Sequence, residues 1–362
     1  MLSNNIFIQS IRLLLFPFAI IYGIVIKIRN LLYDTHKLKS IEFNFPIICV
    51  GNIATGGTGK TPMVEYLIGL FKDEFRLAIL SRGYKRKSTG FLKASEHISA
   101  LELGDEPYQF YLKFPDQIIS VHESRILAIP ILLQNCPNLQ AIILDDAFQH
   151  RQIKAGLNIL LTDYNNLYTK DFYLPTGDLR DSVSSANRAQ IVVVTKCPET
   201  ISEEDMIYTK HKLNILEHQH IFFSKIEYGE PYHLFNPKDL WIITRDLEVL
   251  LVYGIANPKP LKSFILDRAY TYYQLAYPDH HIFSSLDMKE IIETFFSIST
   301  NNKIILTTEK DAVRLTKFKT ELELLPIYVL PIQFKLLNNK ESEFKNLISN
   351  FIYNFNKLEN TQ

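Results

Sequence analysis

Along the first two hundred residues short apolar runs alternate with longer stretches of helical period. The runs are "FPIICV" (45 to 50), "RLAILS" (76 to 81), "DQIISV" (116 to 121), "QAIILDD" (140 to 146), "LNILLTD" (157 to 163) and "QIVVVTK" (190 to 196). Their hydrophobicity is continuous rather than alternating, which marks strands covered on both faces. Helix-like segments between them predict right-handed parallel crossovers. The pattern predicts an α/β protein with a doubly wound parallel sheet. A second series follows from about residue 230: "LEVLLVYGIANP", "TYYQLAYPDHHIF", "SLDMKEIIETFFSIS" and "NKIILTTEKDAVRL". It predicts a second, smaller α/β domain, with the polar stretch near 198 to 215 as the hand-over. The expected division is 1–35 as an N-terminal helix, 36–215 as the first domain, 216–340 as the second and 341–362 as a tail.

The N-terminal pattern differs from both series. "LLLFPFAIIYGIVI" (Leu13 to Ile26) is uncharged, flanked by Arg12 and by Lys27 and Arg29, and interrupted by Pro17 and Gly23. It is shorter than the roughly 20 residues that span a bilayer. The bulky, basic "KIRNLLYDTHK" after it is unlike a signal-peptide cleavage site. Residues 7 to 33 therefore read as a helix lying in or against a membrane surface, with cations at headgroup level, and a buried core helix is the other reading.

Composition narrows the partners. Lys plus Arg and Asp plus Glu both number 39, so no overall basic field attracts nucleic acid. The three cysteines lack CxxC spacing, which suggests neither a disulfide framework nor a zinc site and fits a reducing, cytosolic compartment.

The chemistry begins at "VGNIATGGTGKTP" (50 to 62), a glycine loop between an apolar run and a helix-like run. Such a loop binds phosphate because glycines let backbone N–H groups turn inward and the following helix adds partial positive charge. Thr55, Gly56, Gly57, Thr58, Gly59, Lys60 and Thr61 form the expected nucleotide loop, with Lys60 on the β and γ phosphates and the Thr61 hydroxyl on Mg²⁺. The strict P-loop pattern has glycine where this chain has Ala54. A glycine-rich turn without a ligand is the competing reading. Asp145 and Asp146 close a buried run, where a P-loop protein holds its metal, although such a pair also caps turns. "TKCP" puts Pro198 where a guanine-reading Asp would stand, so ATP is the expected nucleotide. For an acceptor, Asp105 and Glu106 in "LGDEPYQF" and His280 and His281 beside Asp279 in "YPDHHIF" are candidate acid–base groups, with a helix cap and a surface turn as the plainer alternatives. "LSRGYKRKS" (80 to 88), Arg125 and Arg180 add cations near predicted strand ends, where ligands collect in open α/β sheets, and a merely solvated basic face is the other reading.

Eight strings in fixed order, "VGNIATGGTGKTP", "LSRGYKRKS", "GDEPYQF", "LDDAFQHR", "LPTGDLRD", "GIANPKPL", "YPDHHIF" and "TTEKDAVRL", closely resemble the tetraacyldisaccharide 4'-kinase family, the lipid A 4'-kinases of Gram-negative bacteria. The resemblance implies a P-loop fold that tends to lack the first loop glycine, and ATP-dependent phosphorylation of the 4'-hydroxyl of an acylated disaccharide 1-phosphate. It implies action as a peripheral protein at the cytoplasmic face of the inner membrane; no obligate protein partner is evident from the sequence. Carried over by motif, Asp105 would be the base, His280 would support it from the second domain's side of a cleft, Lys60 and Thr61 would hold phosphate and Mg²⁺, and Asp145 and Asp146 would complete the metal site. Glu106, Gln149, Arg82, Arg125 and Arg180 fall in matching motifs as substrate or charge-stabilising residues. Lys85 and Lys259 depart from the usual pattern without removing a chemical group. A kinase for a soluble acceptor and a non-catalytic nucleotide switch are the competing functions.

Overall fold

The structure is a computed structural model that describes Arg12 and residues 14–359. The chain forms two compact units, one holding residues up to Ile226 together with those from Phe334 onward, the other Glu227–Gln333. The strands are β1 (Ile47–Gly51), β2 (Leu77–Ser81), β3 (Leu92–Lys93), β4 (Ile118–Val121), β5 (Ala141–Asp145), β6 (Leu157–Asp163), β7 (Ile191–Thr195) and β8 (His220–Tyr228). They continue with β9 (Tyr232–His233), β10 (Asn236–Leu240), β11 (Glu248–Tyr253), β12 (Thr271–Ala276), β13 (Lys303–Thr308), β14 (Ile327–Leu330) and β15 (Ile332–Leu336).

Among the described residues the larger unit carries one sheet in the order β15-β8-β7-β6-β1-β5-β2-β4-β3. The ladders joining β1, β2 and β4–β8 are parallel, and the short β3 runs antiparallel to β4. Continuous hydrophobicity has its expected cause here. Ile47 and Cys49 of β1 enter one core while Ile48 and Val50 enter the other, and Ala78 with Leu80 and Leu77 with Ile79 divide in the same way. A strand with a core on each face has no polar face to alternate with.

The smaller unit repeats the plan on a sheet ordered β10-β9-β14-β13-β11-β12, parallel from β14 to β12. Leu250 and Val252 face a core with Met288, Ile291 and Phe295 of the helix Ser285–Ser297. Val249 and Leu251 face another with Leu261 and Ile265 of the helix Lys259–Leu266.

Three expectations change. The helix α1 spans Phe16–Asp34, and the part of the expected helix before Arg12, with Leu13, lies outside the described residues. Pro17 and Gly23 do not break α1. Pro17 sits in its first turn, where no intrahelical N–H bond is lost. At Gly23 a Cβ would come within 2.7 Å of the Tyr173 ring, so the glycine permits close packing. The hand-over falls at Glu227 rather than 216, because the polar stretch holds a capped helix, Glu203–Leu213, and β8 still pairs with β7. The segment expected as a tail is a helix, Glu341–Glu359, whose Phe344, Ile348 and Ile352 are fully buried in the larger unit's core beside Phe222 and Phe334.

α1 buries Ala19, Gly23, Asn30 and Tyr33 on one side and exposes Phe18, Ile21, Ile24, Val25, Ile28 and Leu31 on the other. The usual amphipathic arrangement is inverted. By length and composition α1 is also apolar enough to cross a bilayer.

Phe344→Ala removes a fully buried ring and is expected to cost about 3–5 kcal/mol of folding stability, read as a lowered denaturation midpoint with an unchanged slope. An unchanged midpoint would mean that the C-terminal helix is not part of the cooperative core.

Candidate functional site

The loop after β1 is shaped by two residues in the left-handed region, Gly56 at φ 98° and Gly59 at φ 85°. Gly59 caps the helix Lys60–Phe71, which is held down by Met63, Val64, Leu67, Ile68 and Phe71. A Cβ at Gly56 or Gly57 would stand in open space, so these glycines serve the loop's path and its N–H groups rather than tight packing. Ala54, in place of the usual first glycine, forms an antiparallel bridge with Leu179, and Thr55 N–H donates to the Asp178 carbonyl at 2.7 Å. A bridged residue has extended backbone, which alanine adopts without strain.

Lys60 Nζ lies 3.9 Å from Asp146 Oδ1. Arg180 makes a two-pronged contact with the same carboxylate, Nη1 donating to Oδ2 at 3.2 Å and Nη2 to Oδ1. Arg180 Nη2 also donates to Asn52 Oδ1. Asn52, wholly buried, donates in turn from Nδ2 to Thr58 Oγ1 at 2.6 Å. Asp146, at φ 45°, leaves β5 on a sharp turn. Its neighbour Asp145 is buried, accepts from Ser81 Oγ at 3.1 Å, and its carbonyl accepts from Arg125 Nη2 at 3.1 Å. Thr61 Oγ1 and Glu106 Oε1 are 3.5 Å apart.

The two adjacent carboxylates ionise differently. Burial pushes the Asp145 carboxyl up to about 7, with the Glu106 and Asp146 charges adding to it and Lys60 opposing. Burial also acts against ionisation of Asp146, but Lys60, Arg180 and Arg125 prevail and hold it below the usual range. Burial, Arg125 and Arg82 push the His150 imidazole down to about 4, so it is neutral beside Arg125 Nη1 at 3.5 Å. Among the described residues no three His, Cys, Asp or Glu side chains gather closely enough to enclose a metal. The donor set of Thr61, Glu106, Asp145 and Asp146 is all hard oxygen, and Mg²⁺ takes only one or two carboxylates besides water and phosphate. These residues therefore fit Mg²⁺ and would not fit a metal that needs a closed protein cage.

The structure thus gathers Thr58, Lys60, Thr61, Glu106, Arg125, Asp145, Asp146 and Arg180 at the C-terminal ends of the parallel strands, the position open α/β sheets reserve for ligands. Asp105 is the first residue of the helix Asp105–Lys113, next to Glu106 and after Gly104 at φ 98°. Gln149 donates to the Asn52 carbonyl and its own carbonyl accepts from Arg29 Nη2 at 2.9 Å, which makes it a brace between the loop and α1. Arg82 is exposed and acts on Arg125 and His150 through space. His280 belongs to the smaller unit. A cavity of about 390 Å³ in that unit, lined by Tyr228, Trp241, Phe264 and Arg268, borders none of the expected site residues. Asn52 and Ser81 were missed from sequence. Their signal is a lone polar residue at the end of a buried strand, in "CVGN" and "AILS".

With this geometry in place, residues 11–353 match the family described as tetraacyldisaccharide-1-P 4'-kinase. The chain belongs to that family. It is 47% identical over 332 residues to a tetraacyldisaccharide 4'-kinase of Flavobacterium johnsoniae, covering 92% of this chain and 95% of the relative. It is 42% identical over 352 residues to that of Bacteroides thetaiotaomicron, covering 93% and 92%. A crystal structure of the "apo" form of LpxK from Aquifex aeolicus in complex with ATP superposes with a TM-score of 0.75 at 29% identity, covering 95% of this chain and all of that one. In this chain the alanine at the first loop position is bridged to Leu179.

Asn52→Ala removes the bonds to both Thr58 and Arg180. It is expected to lower stability by about 1–3 kcal/mol and to weaken ATP binding, measured by thermal unfolding and by titration calorimetry. Full ATP affinity in a folded variant would show that this brace does not shape the loop.

Proposed function

We propose that this chain transfers the γ-phosphoryl group of ATP to the 4'-hydroxyl of tetraacyldisaccharide 1-phosphate, giving the 1,4'-bisphosphate, as a peripheral protein on the cytoplasmic face of the inner membrane. The observation that carries the reading is the convergence of Lys60, Asp146 and Arg180 beside the glycine loop, in a chain of this kinase family. In this reading the loop N–H groups of residues 55 to 61 and Lys60 bind the phosphates, while Arg125 and Arg180 keep the strand end positive where charge builds up on the transferring group. Mg²⁺, held by Thr61 with Asp145 and Asp146 and with Glu106 nearby, would neutralise phosphate charge. Asp105 takes the proton of the attacking hydroxyl as the new O–P bond forms and the bond to ADP breaks, and His280 supports that transfer. Arg82 and Gln149 serve indirectly, Arg82 through its field and Gln149 by bracing Asn52.

The exposed apolar side of α1 favours a lipid acceptor over a soluble one. Six aliphatic or aromatic side chains on one outward helix face, flanked by Lys27 and Arg29, fit a headgroup boundary.

The test is transfer of labelled γ-phosphate to the acylated disaccharide 1-phosphate in mild detergent. Asp105→Ala is expected to lose about 10²–10⁴-fold in kcat with ATP binding nearly intact, whereas Lys60→Ala impairs both. Near-full turnover by Asp105→Ala would remove it as the base, and ATP bound without labelled lipid would redirect the reading to a soluble acceptor or a nucleotide switch. Separately, Ile21→Glu with Val25→Glu is expected to abolish flotation with anionic vesicles while leaving the fold unchanged. Undiminished flotation would place membrane attachment elsewhere.

A further inference from the structure

The loop after β2, "LSRGYKRKS", gives Arg82 to the site and leaves Arg86 without a part in the chemistry above, yet Arg86 is its buried cation. The Arg86 side chain is 2% exposed, while Arg82, Lys85 and Lys87 are exposed. A guanidinium leaves water only where something compensates its charge. Arg86 Nη2 pairs with Glu123 Oε1 and donates to the Gly90 carbonyl at 2.6 Å, and Glu123 Oε2 accepts from Gly90 N–H at 3.2 Å. Arg86 Nε and Nη1 are buried with no hydrogen-bond partner among the described residues. Glu123 is therefore the carboxylate that compensates Arg86, and it comes from a different loop, two residues before Arg125.

The arginine lies across the inside of its own loop. Arg86 N–H donates to the Gly83 carbonyl at 3.2 Å, and a Cβ at Gly83 would come within 2.4 Å of Arg86 Cδ. Lys85, between them, carries its β-carbon at φ 59°, a conformation that persists only where the surroundings hold it. The other side of the loop is fixed to the helix Ala100–Leu103, Lys87 N–H donating to the Leu101 carbonyl at 2.8 Å and Ser88 Oγ to the Glu102 carbonyl at 2.5 Å. That helix ends on Gly104, where a Cβ would come within 3.3 Å of Gly83 Cα. Two backbones meet there, and the next residue is Asp105.

We propose that Arg86, drawn inward by Glu123, is a positioning residue for Asp105. The ion pair sets how deeply the loop sits, the loop backbone at Gly83 bears on Gly104, and Gly104 fixes where the helix Asp105–Lys113 begins. The link to turnover rests on the role of base given to Asp105 above, while the latch itself is testable without it. A carboxylate that takes a proton has to stand within hydrogen-bond reach of the hydroxyl, and a displacement of about 1 Å can cost about 10²-fold in rate. None of the latch contacts comes from residues 55 to 61, so ATP binding is left nearly intact.

Limited digestion of the full chain with trypsin, in mild detergent and without substrate, tests the latch, because the exposed Lys85 and Lys87 flank the buried arginine and cleavage there requires the loop to open. Glu123→Ala changes a half-exposed side chain. It is expected to speed cleavage between residues 82 and 88 about tenfold, located by mass spectrometry, with the other sites cut at the wild-type rate. An unchanged rate in that loop overturns the proposal. Arg86→Met is expected to act in the same way, but it empties a buried site and can fail to fold, so the Glu123→Ala digestion decides. In the labelled-phosphate assay Glu123→Ala is expected to lower kcat about tenfold or more, with the KM for ATP and the stoichiometry of ATP binding nearly unchanged. Faster cleavage with wild-type kcat would overturn the positioning role and leave the latch. Absence of labelled lipid from the wild-type protein would overturn the kinase reading, and the digestion would still decide the latch.

Discussion

The pairing of Asp146 with Arg180 ties the larger unit's site together. One carboxylate, at the turn ending β5, receives both prongs of a guanidinium and sits beside the loop lysine. The guanidinium also reaches Asn52, which holds Thr58, and the Arg180 backbone N–H donates to the Ile53 carbonyl at 2.9 Å. Three segments far apart in sequence, the glycine loop, the end of β5 and the stretch around 178 to 185, therefore share one electrostatic knot. It also explains why neighbouring aspartates ionise differently. Asp146 is surrounded by cations, while Asp145 is buried against Ser81 with other carboxylates in range.

Much of this was legible in the sequence because it rests on patterns that leave one solution. Six apolar runs too continuous for a half-exposed sheet forced cores on both faces, as the division of Ile47 and Cys49 from Ile48 and Val50 shows. The loop could be read because only glycine tolerates its backbone at Gly56 and Gly59. What escaped had a different physical character. Asn52 and Ser81 are single polar residues whose meaning depends on partners 64 to 128 positions away, and no local period records such a contact. The C-terminal segment was judged by composition, rich in Asn, Lys and Phe. Its information lay in spacing, since Phe344, Ile348 and Ile352 recur every four residues on one helical stripe. Pro17 and Gly23 show the reverse error. Read as breakers, they are a first-turn residue and a close-packing site.

The smaller unit builds its histidine by another device. Gly254 comes from one motif and Asp311 and Arg314 from another, and their joint effect is to hold a turn in which a non-glycine residue adopts positive φ. Such a turn sets the direction of the imidazole through the backbone as well as through hydrogen bonds.

The two sides of α1 serve different ends. Its outward side is apolar, but its inward side is polar at the places that matter: Asn30 Nδ2 donates to buried Asp181 at 2.8 Å, Arg29 to the Gln149 carbonyl at 2.9 Å, and Tyr22 to the Arg180 carbonyl at 3.1 Å. This helix is thus a strut of the loop after β1. Deleting the N-terminal segment to ease purification would give a protein that is easier to handle but no longer the same enzyme. Its kinetic defects would be easy to misread as poor access to substrate, when the Asp146 and Arg180 knot had lost its outer support.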